Sequence, residues 1–253
     1  MKLEYADLLS GDSIFIEGLG HVHSPHLRDL KPSIGIGNFR YKLFLNFFAW
    51  DKEQFLKYAK VISLRGLSAF EGKENLEVFD VMTIIPVTRE MLHKAASFFV
   101  DEKIQWDERH HCFTTTDMDG NIIGKIDRNN FKELSNVVLQ LNYIGLDKDK
   151  APAKFTSDLA KSRWEAAQEF LKKQSQQPVE EKAEYQLGNI ISKLCAIHNS
   201  YNLLNIFDLT VFQLYDQFFQ CCYLRSVDIN ERIFTIHGGE KFEMDDWLKT
   251  INK

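Results

Sequence analysis

The sequence predicts a mainly α-helical protein with a small β element, an α+β fold with a helical hairpin in its C-terminal part. Three observations predict it. Apolar residues recur at three- and four-residue spacing along much of the chain. KIQWDERHHCFTTTDMDGNIIGKI alternates instead and carries Asp119-Gly120, a hairpin turn signal. The stretch from Leu187 to Arg225 is the least polar and most aromatic long segment, and it holds two apolar helical runs around a turn.

Composition narrows the function classes. A chain of 253 residues can bury one large core or two small ones. Its 44% hydrophobic and 26% charged residues are close to globular averages, which argues against wholesale disorder. A formal net charge of −5 lacks the basic footprint that nonspecific nucleic-acid binding requires. Cys112, Cys195, Cys221 and Cys222 form no CxxC pair and no zinc-finger spacing, which suits a reducing compartment. The opening MKLEYADLLSGDS is acidic and lacks a signal-peptide core, and no run approaches the roughly 20 apolar residues of a membrane span. The expectation is a soluble intracellular protein with no membrane partner.

In chain order, Ile14 and Ile16 alternate as a short strand before a Gly-rich turn, and Pro25 and Pro32 discourage a helix. From Asn38 a helix presents Tyr41, Phe44, Leu45 and Phe48 on one face. Asp51 occupies the N-cap of a second helix carrying Phe55, Ala59 and Ile62. Gly66 and Gly72–Asn75 interrupt the pattern. Leu76–Val87 is rich in β-branched residues and fits a buried strand, with a helix ending before Pro86 as the alternative. Thr88 is placed as the cap of a helix through Leu92, Ala95, Ala96 and Phe99. Asn129 is placed as the cap of another, carrying Leu134, Val137, Val138 and Leu141, with Gly145 as its stop.

Composition changes at Gly145. A charged helix with Trp164, Ala167 and Leu171 on one face leads into KKQSQQPVEEKAE, polar and Pro-interrupted like a linker. The division predicted is an α+β domain over 1–145, a charged helix and polar linker over 146–185, and the hairpin and tail over 186–253. In the hairpin, Ile190, Ile191, Leu194 and Ile197 form one run, and Val211, Leu214, Tyr215, Phe218 and Cys222 the other. Thr210 with Gln213 matches a capping box, and Asp208 is the alternative cap. Beyond it, Gly238-Gly239 suggests a turn and Trp247 a terminal amphipathic segment.

The sharpest chemical suggestion is His21, His23 and His26. Three imidazoles within six residues could ligate a metal, since HxH on a strand directs both rings to one face. Glu17 and Asp29 lie near enough in sequence to add a carboxylate, but Pro25 interrupts the group and no second cluster follows. His110-His111-Cys112 is poorer, because neighbours on a strand face opposite ways. Asp117–Asn121 echoes a calcium loop, but the glycine and glutamate positions of an EF-hand hold Ile122 and Arg128. No dinucleotide fingerprint, Walker loop or GxSxG elbow occurs. Cys195 and His198 could form a dyad, though i,i+3 on an apolar helix suits packing better. No cofactor is expected and no catalytic residue is assigned.

GLGHVHSPHLRDL followed by FRYKLFLNFFAWDKEQF resembles the opening of proteins encoded in tail gene clusters of phages and prophages of Gram-positive bacteria. There a Gly-Leu-Gly, a Ser-Pro and a Leu-Arg-Asp/Glu precede a Tyr-rich helix. YNLLNIFDLTVFQLYDQFFQ is similar to their helical C-terminal part. This sequence departs by carrying His21, His23 and His26 in the opening segment. The resemblance implies a non-catalytic tail assembly chaperone or tail-morphogenesis factor in the host bacterial cytoplasm, with a tail-tube or tape-measure protein as its partner and a homo-oligomer as a further expectation. A chaperone of that kind needs an exposed apolar helical surface, and aromatics dominate such contacts. Phe212, Tyr215, Phe218, Phe219 and Tyr223 are therefore the expected partner-binding residues. The alternatives are a metal-dependent enzyme using His21, His23 and His26, and a nucleic-acid-binding phage regulator.

Overall fold

The computed structural model describes residues 1–62, 75–144 and 186–237. The chain divides into two compact units, Met1–Asn142 and Tyr143–Lys253. Both are built mainly from helices, with small antiparallel sheets confined to the first among the described residues, so the fold class is α+β. The charged helix at Trp164, the polar linker, Gly66, Gly145, Gly238-Gly239 and Trp247 lie outside the described residues.

The first unit opens with α1 (Tyr5–Ser10), which the sequence did not announce, ended by Gly11 in the left-handed region. The expected strand at Ile14 and Ile16 is β1 (Ile14–Ile16), and it forms a hairpin with β2 (Gly20–Val22). β2 then runs alongside the residues after Phe99: the His23 N–H donates to the Phe99 carbonyl at 2.9 Å, and the Asp101 N–H to that of His21 at 3.0 Å. Next come α2 (Gly37–Ala49) and α3 (Lys52–Ile62). Asp51 caps α3 as predicted. Its carboxylate accepts the Gln54 N–H at 2.8 Å, and the Gln54 side chain accepts the Asp51 N–H at 3.0 Å.

Leu76–Val87 is not a strand. Val78–Ile84 forms α4 and Pro86–Phe99 forms α5, so the alternative helix reading holds. The Asp80 carboxylate accepts the Glu77 N–H at 3.0 Å, and Pro86 opens α5, where its missing N–H costs nothing. These end effects outweigh the weak strand preference of the β-branched residues. Thr88 is consequently not a cap. It lies inside α5, buried, its hydroxyl donating to the Met82 carbonyl at 2.8 Å.

β3 (Lys103–Asp107), β4 (Cys112–Thr116) and β5 (Ile122–Ile126) follow as an antiparallel meander in the order β3-β4-β5. The Asp119-Gly120 turn joins the last two, with Gly120 at φ +85°. α6 (Phe131–Leu141) closes the unit, starting one residue later than predicted. Asn130 precedes it, its side-chain oxygen taking the Asp127 N–H at 2.9 Å. Leu134, Val137, Val138 and Leu141 are all buried, as the spacing requires.

Aromatic rings tie this unit together. Phe99 of α5 meets Phe48 of α2 edge-on at 5.5 Å, and Phe48 meets Phe131 of α6 at 5.9 Å. Phe131 contacts Phe79 of α4 at 5.4 Å, and Phe79 meets Phe113 of β4 at 6.0 Å. Five buried rings from five elements thus form one chain of contacts, each pair adding to plain area burial. A second group, Phe47, Trp50, Phe55 and Tyr58, fills the corner between α2 and α3. There Phe47 is fully buried, whereas Phe44, assigned to the inner face from its spacing, is half-buried.

Candidate partner-binding surface

In the second unit, α7 (Leu187–Ile197) packs against α8 (Val211–His237) as a helical hairpin, with a 3-10 turn at Ile206–Asp208 between them. The capping box is present in both directions. The Thr210 N–H donates to the Gln213 side-chain oxygen at 3.0 Å, and the Gln213 N–H to the Thr210 hydroxyl at 3.2 Å. Thr210, not Asp208, opens α8. Thr210→Ala should cost about 1 kcal/mol of hairpin stability, measurable as a lower urea midpoint for loss of helix.

The inner faces are mostly apolar, with Thr210 and Asp216 buried as well. Ile190, Ile191 and Leu194 of α7 are buried, and so are Ile206, Val211, Phe212, Leu214 and Phe218. Ile197, placed on the same stripe by spacing, is 43% exposed at the end of α7.

The five aromatic residues singled out from the sequence therefore separate. Phe212 and Phe218 are buried in the free chain, so neither presents its ring on the surface. Tyr215, Phe219 and Tyr223 are half-buried. Two of these, Tyr215 and Phe219, meet Tyr143, which sequence reasoning missed. Its ring lies 5.1 Å from Phe212, 6.0 Å from Tyr215 and 5.5 Å from Phe219, the last nearly parallel at 20°. Tyr215 and Phe219 stack at 6.5 Å, one helical turn apart. The one local signal at Tyr143 is φ +62°, a strained conformation for a tyrosine and invisible in sequence.

Past Phe219, α8 keeps apolar residues that the unit does not cover. Leu224 is 46% exposed and Ile233 51%, and in the connecting turn Leu204 is 92% exposed. The helix continues to His237, well past the predicted hairpin end at Arg225.

The candidate chemical residues do not assemble. His21 and His23 do lie close in sequence on and after β2, but each imidazole is committed to its own carboxylate. His21 Nδ1 is 2.7 Å from Glu102, and the His21 N–H also donates to that carboxylate at 2.8 Å. His23 Nδ1 is 2.6 Å from Asp101, which also accepts the Ser13 hydroxyl at 2.6 Å. His26 instead precedes the 3-10 turn Leu27–Leu30, its N–H donating to Asp29 at 2.9 Å. Gly20, at φ +127°, admits the Glu102 carboxylate to a place that a Cβ would occupy.

Among the described residues no three His, Cys, Asp or Glu side chains are placed to hold a metal ion. His110 and His111 lie in the turn after β3, not on a strand. His110 Nδ1 pairs with Asp107 at 2.6 Å, and that hydrogen bond holds the Asp107 carboxyl below its ordinary range. Burial pushes the Cys112 thiol up. It also pushes up the Cys195 thiol, the wrong direction for a nucleophile. His198 accepts the Ser200 N–H at 3.1 Å and packs on Tyr201 at 4.4 Å.

No helix among the described residues is long and apolar enough to cross a membrane. No curated protein and no solved structure matches the chain. Residues 173–252, which include both helices of the hairpin, match the family model described as YomV second domain, YomV being a Bacillus phage- and prophage-encoded protein, and the match points to a phage origin.

Proposed function

We propose that this chain is a non-catalytic phage tail assembly chaperone or tail-morphogenesis factor acting in the host bacterial cytoplasm. It binds a tail-tube or tape-measure protein through the second unit. The observation that carries the reading is the coincidence of two properties on one segment. The phage-associated family match falls on the α7–α8 hairpin, and that hairpin leaves stacked aromatics and large aliphatics only partly covered. Single exposed apolar residues are ordinary on any surface, but a grouped set on one helical element suits a binding face.

The contact residues on this reading are Tyr215, Phe219 and Tyr223, with Phe212 and Phe218 holding the helix that presents them. An apolar helix of an unassembled tail protein lies across the aromatic face, and its removal from water supplies the affinity. Tyr215→Asp and Phe219→Asp should each abolish co-purification with the tail partner. They should leave the chain's helical circular dichroism unchanged within error, since both positions are partly solvated. Binding that survives both substitutions would remove the aromatic face from the proposal.

A further inference from the structure

A different side of α8 carries a pattern that the tail-protein reading does not use. A shallow groove beside the end of α7, bordered there by Ile197, is lined along α8 by Cys221, Leu224, Arg225, Asp228, Ile229 and Arg232. The steps between those six positions are 3, 1, 3, 1 and 3, the same from either end. A two-fold axis crossing the helix between Ser226 and Val227 therefore maps these six positions onto one another. It sets Leu224 opposite Ile229 and Arg225 opposite Asp228.

The chemistry matches at the central pairs. Leu224 and Ile229 are 46% and 37% exposed, and each would bury its side chain against the other. Asp228 accepts Arg232 one turn along through both carboxylate oxygens, at 3.1 and 3.2 Å, and each oxygen keeps a further lone pair. Among the described residues Arg225 forms no ion pair. A parallel pairing would instead set Arg225 against Arg225 and Asp228 against Asp228, a like-charge arrangement that specific interfaces avoid.

We infer that residues 221–232 of α8 form an antiparallel, isologous interface with a second copy of this chain. Leu224 and Ile229 make its apolar centre, and Arg225 of each copy takes the Asp228 carboxylate of the other. Three turns of helix cover little area, so the dimer is a weak one, in the micromolar range. The inference stands apart from the tail-protein reading, because it uses another face of the helix and needs no other protein.

The test is sedimentation equilibrium on the purified full chain, over a concentration series reaching the high micromolar range. The wild-type chain should pass from monomer to dimer. Arg225→Asp alone and Asp228→Arg alone should each weaken the dimer by at least about tenfold, since each sets like charges opposite one another. An equimolar mixture of the two variants should restore it as a heterodimer, both cross-pairs then being opposite in charge. Leu224→Asp should give a monomer with wild-type helicity. A wild-type chain that stays monomeric, a dimer indifferent to both reversals, or a mixture that restores nothing would overturn the inference.

Discussion

Phe113→Ala should lower the melting temperature of the first unit by about 10–20 °C. Phe113 is fully buried on β4 and stands where three groups converge. Its ring meets Phe79 at 6.0 Å, Trp106 at 4.9 Å and His93 at 5.8 Å. Truncating a buried phenylalanine removes its transfer energy and leaves a cavity, together about 3–5 kcal/mol. For a domain of this size each kcal/mol moves the midpoint by roughly 2–5 °C. The neighbours cannot close the gap readily. Phe79 is held by Phe131, and Trp106 lies under the Arg89 guanidinium, which is 4.7 Å from its ring. Differential scanning calorimetry measures the shift, and one under about 3 °C would show that the aromatic chain does not govern the unit's stability.

Phe212→Asp should unfold the hairpin. The side chain is fully buried at the start of α8, against Tyr143 at 5.1 Å. A carboxylate there would either be desolvated without a designed partner or be protonated, and either outcome costs several kcal/mol. Hydrogen exchange should report the loss locally, with protection vanishing over 187–237 and persisting over 78–142. This outcome separates Phe212 from Tyr215. Substitution at Phe212 removes the surface by unfolding it, whereas Tyr215→Asp removes the contact and keeps the helix. Retained protection over α8 in the Phe212 variant would return that residue to the partner-binding set.

The contrast between those two residues marks how far sequence reasoning reaches. Local rules that depend on neighbours three or four positions away were legible. Asp51 caps its helix as expected, and Thr210 with Gln213 forms the reciprocal cap its spacing promised. The α6 stripe and the Asp119-Gly120 turn followed for the same reason. Leu76–Val87 was ambiguous because β-branched residues tolerate either backbone, and the ends decided it, through Asp80 and Pro86. Which aromatic residues face inward could not be read from periodicity. Tyr215 and Phe219 take part of their cover from Tyr143, a residue more than 70 positions earlier. The partners of the histidines could not be read for a related reason. The close histidine spacing suggested shared ligation, but Asp101 and Glu102, distant in sequence, take one ring each.

The measurement that tests the central claim most directly is co-expression of this chain with the tail-tube and tape-measure proteins of its phage, followed by affinity capture and native mass measurement. The account predicts a stable complex of defined stoichiometry with one of them, formed by the wild-type chain and lost with Tyr215→Asp and Phe219→Asp. A wild-type chain recovered without either tail protein, or a complex indifferent to both substitutions, would contradict it.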